Sequence, residues 1–137
     1  MSIFSAFTIS GSGLTTFRTW VDALANNIAN INTVKPTSGN AFQATYIQAQ
    51  ELGGAVDGSG GGVQGIARTE GTAKGVLSYQ PDNPLADANG YVRTPDIDLS
   101  EQMGNLIMAQ RGFQANAAVI DRARSTYQDA INIGKNR

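Results

Sequence analysis

The sequence predicts a mainly α protein with a small β region, in which long N- and C-terminal helices pair as a coiled coil around a short β-hairpin and loop excursion. Three observations carry this expectation. Both ends repeat apolar residues at alternating steps of four and three, the middle gathers most of the glycines and all the prolines but Pro95, and charge is scarce throughout. A chain of 137 residues is one domain by length.

The first zone, residues 1–33, places apolar side chains at Ile3, Phe7, Leu14, Phe17, Val21, Leu24, Ile28 and Ile31, with Ser10 in the remaining slot. That is the a/d seam of a heptad repeat. Gly11 and Gly13 weaken its beginning, so the firm helix is expected from about Ser12. Pro36 ends any helix near Val34. The second zone, residues 34–94, holds Pro36, Pro81 and Pro84 and most of the glycines. Ala41–Gln50 and Gly75–Gln80 read as short strands, and Val63–Arg68 as a weaker one. Gly53–Gly65, rich in Gly, Asp and Ser, reads as a flexible loop or hairpin tip. Pro81–Gly90 is turn-rich, with Asp82-Asn83-Pro84 followed by Asn89-Gly90.

The third zone, residues 95–137, repeats the four-and-three spacing at Leu99, Met103, Leu106, Gln110, Phe113, Ala117, Ile120, Arg124, Tyr127, Ile131 and Gly134. Asp98 and Glu101 resemble a capping box, with Asp98 as N-cap. A second stripe, running from Leu106 through Ala109, Phe113, Asn116, Ile120, Ala123 and Tyr127 to Ala130, lies beside the first. A helix with two usable seams can touch more than one neighbour.

Composition removes several kinds of function. Without Cys or His there is no disulfide, no thiolate nucleophile and no imidazole chemistry. The net charge of −1 gives no electrostatic footprint for nucleic acid or anionic lipid. No stretch approaches the roughly 18 apolar residues of a membrane span. The N-terminus lacks a basic region, so a cleaved secretory signal is not expected. Gly60-x-Gly62-x-x-Gly65 matches a dinucleotide fingerprint in letters, but without a strand before it and a helix after it the match is accidental. Asp96, Asp98 and Glu101 are better explained as acidic residues at a helix start than as metal ligands. Asp82 and Asp87 belong to turns. Arg111 and Arg122 read as solvated helix charges. No nucleophile, base and oxyanion site come together, so the chain is not read as an enzyme and no cofactor or metal is implied.

The charge pattern points instead to assembly. Only 15% of the chain is charged, against about 25% in typical domains. Residues 1–34 hold two charges, Arg18 and Asp22, and the positions off the seam carry Thr, Ser, Ala and Asn. With Leu14 at a, Asn26, Asn27 and Asn30 fall at f, g and c. A helix with one apolar seam and an uncharged polar remainder suits burial on several sides, because amides can be hydrogen-bonded there without the cost of burying charge. Asn27 and Asn30 are therefore expected to pack between subunits, since a lone hairpin has no use for them off the seam.

Three segments then resemble a known family. Leu24-Ala25-Asn26-Asn27-Ile28-Ala29-Asn30-Ile31-Asn32-Thr33 resembles the signature of bacterial flagellar rod and hook proteins. Asp96-Ile97-Asp98-Leu99-Ser100-Glu101-Gln102-Met103, followed by Gln110-Arg111-Gly112-Phe113-Gln114-Ala115-Asn116, resembles the family's second signature. Asn83–Val92 resembles an element typical of its proximal rod subunits. Lys35-Pro36-Thr37-Ser38-Gly39 departs from the shorter turn common in other rod proteins, and residues 51–72 carry no family motif. The resemblance implies a structural subunit of the basal-body rod that crosses the periplasm and carries torque. It implies export by the flagellum's own type III apparatus. The implied partners are further copies of the chain, other rod proteins of the FlgB and FlgF type, the rod-base adaptor and the inner-membrane (MS) ring. An unrelated coiled-coil subunit of a needle-like secretion assembly is the alternative, but it gives no reason for the 83–92 element. The candidate packing residues are Leu14, Phe17, Val21, Leu24, Asn26, Asn27, Ile28, Asn30 and Ile31 on the first helix. On the second they are Leu99, Met103, Leu106, Gln110, Arg111, Phe113, Asn116, Ile120, Tyr127 and Ile131.

Overall fold

The computed structural model describes residues 3–53 and 60–135. Along the chain these form helix α1 (Ile3–Asn30), strands β1 (Ala44–Glu51), β2 (Val63–Glu70), β3 (Val76–Tyr79) and β4 (Tyr91–Thr94), and helix α2 (Leu99–Lys135). Mainly α with a small β region is therefore the architecture. The strands form two antiparallel two-stranded sheets, β1 with β2 and β3 with β4.

The chain divides into two compact units, and the division falls within α1, β1, β2 and α2. One unit comprises Met1–Trp20, Gln48–Ile66 and Ile107–Arg137. The other comprises Val21–Ile47 and Ala67–Leu106.

Helix α1 starts nine residues before the expected Ser12, carrying both glycines inside it. Tertiary contact overrides the propensity cost, and at Gly13 the missing side chain is used: a Cβ there would stand 2.6 Å from Asn116 Oδ1. At the other end α1 stops at Asn30, before the limit set by Pro36. Asn30 Nδ2 donates to Asn26 O at 2.9 Å while its Oδ1 accepts from Thr33 Oγ1 at 3.1 Å, so one side chain serves both sides of the helix end. The chain is then extended by Lys35, which exchanges two backbone hydrogen bonds with Arg93 at 2.9 and 2.8 Å. A turn closes from Gly39 N–H to Pro36 O at 2.9 Å. Arg93 Nε donates to Thr37 O at 2.7 Å and pins that turn.

Strands β1, β2 and β3 fall within a few residues of their expected positions. The middle of the Gly53–Gly65 loop, residues 54–59, lies outside the described residues. What is described is a ribbon that closes from Leu52 N–H to Gly62 O at 3.0 Å. Gly62 is not a free loop residue: its φ is +92°, and a side chain there would run into Ser12 of α1. Strand β4 was not expected, because its four residues sit between a turn and Pro95 with no room for a visible alternation. It pairs with β3 in the register Val76–Thr94, Leu77–Arg93, Ser78–Val92 and Tyr79–Tyr91. Val92 is fully buried on one face of this hairpin, while Leu77, Tyr79 and Tyr91 are exposed. The tyrosine rings meet edge to face at 5.4 Å between centroids.

The connection between β3 and β4 is held by side chains that imitate backbone. Asn83 Oδ1 accepts from Leu85 N–H at 3.0 Å, and Asp87 Oδ1 accepts from Asn89 and Tyr91 N–H, both at 2.9 Å. The Tyr91 N–H above all holds the Asp87 carboxyl below its ordinary pKa; burial opposes it, and the Asn89 N–H and a hydrogen bond with Thr37 add to the lowering. Gly90 takes φ +79°, where a Cβ would press on Tyr79 and Pro81. Helix α2 begins as expected: Asp98 Oδ1 accepts from Ser100 N–H at 2.7 Å, which makes Asp98 its N-cap.

Candidate subunit-packing surface

The uncharged polar residues of α1 turn out to have uses inside the chain. In the first unit, Ser12 Oγ donates to Ile9 O at 2.6 Å and accepts from Val63 N–H at 3.0 Å. Thr16 Oγ1 reaches Val63 O at 3.4 Å. Both backbone groups of the first residue of β2 are thereby met by hydroxyls one helical turn apart. In the second unit a single amide does the same for β1. Asn27 Oδ1 accepts from Thr45 N–H at 2.8 Å and Nδ2 donates to Thr45 O at 2.9 Å. The same Nδ2 donates to Gln102 Oε1 on α2 at 2.9 Å, and Gln102 Nε2 makes a longer contact of 3.4 Å with Tyr46 Oη. Asn27 and Gln102 are both 0% exposed.

This corrects the expectation for Asn27. It lies off the heptad seam, yet it is buried within one chain, because the extra partner is the backbone of a strand that the helix pattern does not reveal. Asn30 is half-buried and Asn26 exposed, and they bond to each other between Asn30 Nδ2 and Asn26 Oδ1 at 3.0 Å.

The face that α2 turns to α1 also differs from its four-and-three stripe. In the first unit, Gly13 faces Asn116, and the ring of Phe17 lies where a Cβ on Gly112 would be. Four residues forward on α1 are matched by four back on α2, so the helices run antiparallel there. Ala109 is fully buried in the same unit, and Gln102 in the other. Small and amide side chains thus form the inward face of α2 and let the backbones come close. Ala109 and Asn116 belong to the second stripe read from the sequence; Gln102 and Gly112 belong to neither. Gly, Ala and amides at Gln102, Ala109, Gly112 and Asn116 were the available signal, but a search for large apolar residues passes over them.

Five of the large apolar residues of the α2 stripe are exposed. Leu99 and Met103 are each 48% exposed, Phe113 38%, Tyr127 46% and Ile131 40%. Gln110 and Arg111 are exposed, and Leu106, Asn116 and Ile120 half-buried. Ile107, Met108 and Val119 add to the exposed apolar surface. From Asp121 to Lys135 only Ala123 is half-buried and the other residues are exposed. On α1, Leu24 is fully buried, whereas Leu14, Phe17, Val21, Ile28 and Ile31 are half-buried. Large exposed apolar patches are characteristic of surfaces that associate.

Gly60–Gly65 leads into strand β2 rather than a helix, so no helix N-terminus stands ready for a pyrophosphate. Among the described residues no group of three or more acidic side chains could hold a metal ion, and no helix is long and apolar enough to cross a membrane.

Comparison with known proteins gives two family matches. Residues 7–37 match the family described as flagella basal body rod protein, and residues 88–133 match the flagellar basal body rod FlgEFG protein C-terminal family. The flagellar basal-body rod protein FlgC of Salmonella typhimurium is 33% identical over 135 residues, covering 98% of this chain and 100% of that one. FlgC of Borreliella burgdorferi is 29% identical over 149 residues, covering 97% and 98%. FlgC of Bacillus subtilis is 28% identical over 150 residues, covering 98% and 100%.

Proposed function

This chain belongs to the FlgC family of flagellar basal-body rod proteins, structural subunits rather than enzymes, and from that premise we propose that it assembles through the outward apolar stripe of α2. The carrying observation is the row Leu99, Met103, Phe113, Tyr127 and Ile131, exposed on a helix whose inward face is small and polar. Neighbouring subunits would cover that row with terminal helices of their own, paired in the coiled-coil manner that the heptad spacing suits. In this reading the terminal helices act together as the assembly domain and the β region is an excursion from it. The rod so formed transmits torque across the periplasm, and the chain reaches it through the flagellar export apparatus. Its neighbours are further copies, other rod proteins, the rod-base adaptor and the inner-membrane ring.

The test is Phe113→Glu combined with Tyr127→Glu, scored for basal bodies recovered from cells that hold the chain at normal levels. Both side chains are exposed in the single chain, so its folding should survive while rods are lost. Rods in normal number would show that this face meets water.

A further inference from the structure

We propose that the Asn27–Gln102 amide pair sets the axial register of α1 against α2, independently of how subunits assemble. Apolar packing is non-directional, and in the unit that holds Asn27 the large stripe residues of α2, Leu99 and Met103, are exposed. A slide of one heptad would therefore cost the large apolar contacts of that unit little. The amides are different, because a hydrogen bond fixes both distance and direction. Asn27 cannot turn to follow a sliding partner: its Oδ1 and Nδ2 are held by the N–H and C=O of Thr45 at 2.8 and 2.9 Å. Its Nδ2 therefore presents one fixed direction toward α2, met by Gln102 Oε1 at 2.9 Å. A slide of seven residues would bring Ala109 or Pro95 to the place of Gln102, and neither side chain can accept a hydrogen bond. Gln102 would leave Asn27 and Tyr46 together, and a fully buried amide would lose its partners. Strand β1 is in this way the fixed reference from which the position of α2 is read.

The chain contains no cysteine, so introduced pairs are its only thiols. Ala23 lies one turn before Asn27 and Leu106 one turn after Gln102, which brings them together in the antiparallel register. Ala23 and Leu99 come together only after a slide of one heptad. Full-length chains carrying Ala23→Cys with Leu106→Cys, or Ala23→Cys with Leu99→Cys, are oxidised with copper phenanthroline, and the intramolecular disulfide is scored by mass spectrometry. With both amides present, the first pair should cross-link at least about tenfold more than the second, the factor that one orphaned buried polar group imposes. In the background Asn27→Leu with Gln102→Leu, the ratio should fall several-fold. Should that background not fold, Gln102→Leu alone, which leaves Asn27 on Thr45, is scored the same way. A ratio unchanged in the leucine background would overturn the proposal. Loss of both cross-links would overturn it equally, because the amides would then hold the helices together rather than choose their alignment.

Discussion

Replacing Asn27 by Asp changes one nitrogen to oxygen at constant size, and the surroundings make that change severe. The Oδ1 side is unaffected, since a carboxylate still accepts from Thr45 N–H. The other atom donates twice, to Thr45 O and to Gln102 Oε1, each at 2.9 Å. In Asn27→Asp both become oxygen facing oxygen, around a charge placed at a site that is 0% exposed. Gln102 can rotate its amide to offer Nε2, but Thr45 O cannot. An uncompensated buried charge costs about 3–5 kcal/mol. The same substitution at the preceding residue is the control. Asn26 is exposed and its Oδ1 only accepts, from Asn30 Nδ2 at 3.0 Å, so Asn26→Asp should change stability by no more than about 0.5 kcal/mol. The penalty should also depend on pH in a defined direction. Burial raises the pKa of the introduced carboxyl above its unfolded value of about 3.9. The folded state then binds the proton more tightly. The loss is full at neutral pH, shrinks as pH falls through the raised folded pKa, and is smallest near pH 4. Denaturant unfolding of the full-length chain, followed by circular dichroism at constant slope, measures the gap between the two variants. Equal midpoints at pH 7, or a gap that stays constant down to pH 4, would refute the reasoning.

Three further outcomes follow from the same contacts. Gly104→Ala meets nothing within 4 Å and should stabilise the chain by about 0.5–1 kcal/mol, whereas Gly112→Ala forces Phe17 off Gly112 and should destabilise by about 1–3 kcal/mol of overpacking, less the helix-propensity gain; thermal midpoints of the two decide it. The lowered pKa of Asp87 means that its carboxylate stabilises the fold above the unfolded value of about 3.9 and that this is lost as pH falls through the lower folded value; Asp87→Asn should flatten that acid limb, read from amide resonances of residues 83–92. Amide exchange of the dilute chain should be fast across residues 121–135, exposed but for half-buried Ala123, and slow around Gln102 and Ala109, both buried; uniform exchange along α2 would remove the distinction between its two parts.

How much of this was legible depended on what carried each feature. The helices, three of the four strands, the Asp98 cap and the family resemblance rest on local pattern, and they could be read. Strand β4 could not, because four residues between Gly90 and Pro95 leave no periodicity to see. The stripe of large residues on α2 was legible as a stripe, but its destination was not. Periodicity says that Leu99, Met103 and Phe113 share a side of the helix; it does not say whether that side meets the same chain, another chain or water. The inward face was missed because close helix approach selects for what is absent, as at Gly13 and Gly112. Asn27 was placed on the right helix and given the wrong partner. A backbone edge leaves no mark on helical spacing.

The division of labour on α2 has an energetic logic that bears on the assembly reading. A fully buried Leu, Ile, Phe or Met contributes about 1.5–3 kcal/mol, wherever the covering surface comes from. Were Leu99, Met103, Phe113, Tyr127 and Ile131 spent on α1 of the same chain, that sum would stabilise the monomer and leave little to gain from a neighbour. The chain instead joins its helices with close backbone approach at Gly13 and Gly112 and with the directed amide bond between Asn27 and Gln102. These hold geometry without consuming large apolar surface. Five outward residues, each 38–48% exposed, can then supply on the order of 5 kcal/mol to an interface, before the entropy lost on association is subtracted. On this reading the polar inside and apolar outside of α2 are one property: the chain fixes its shape by directional contacts so that its non-directional ones remain available to the rod.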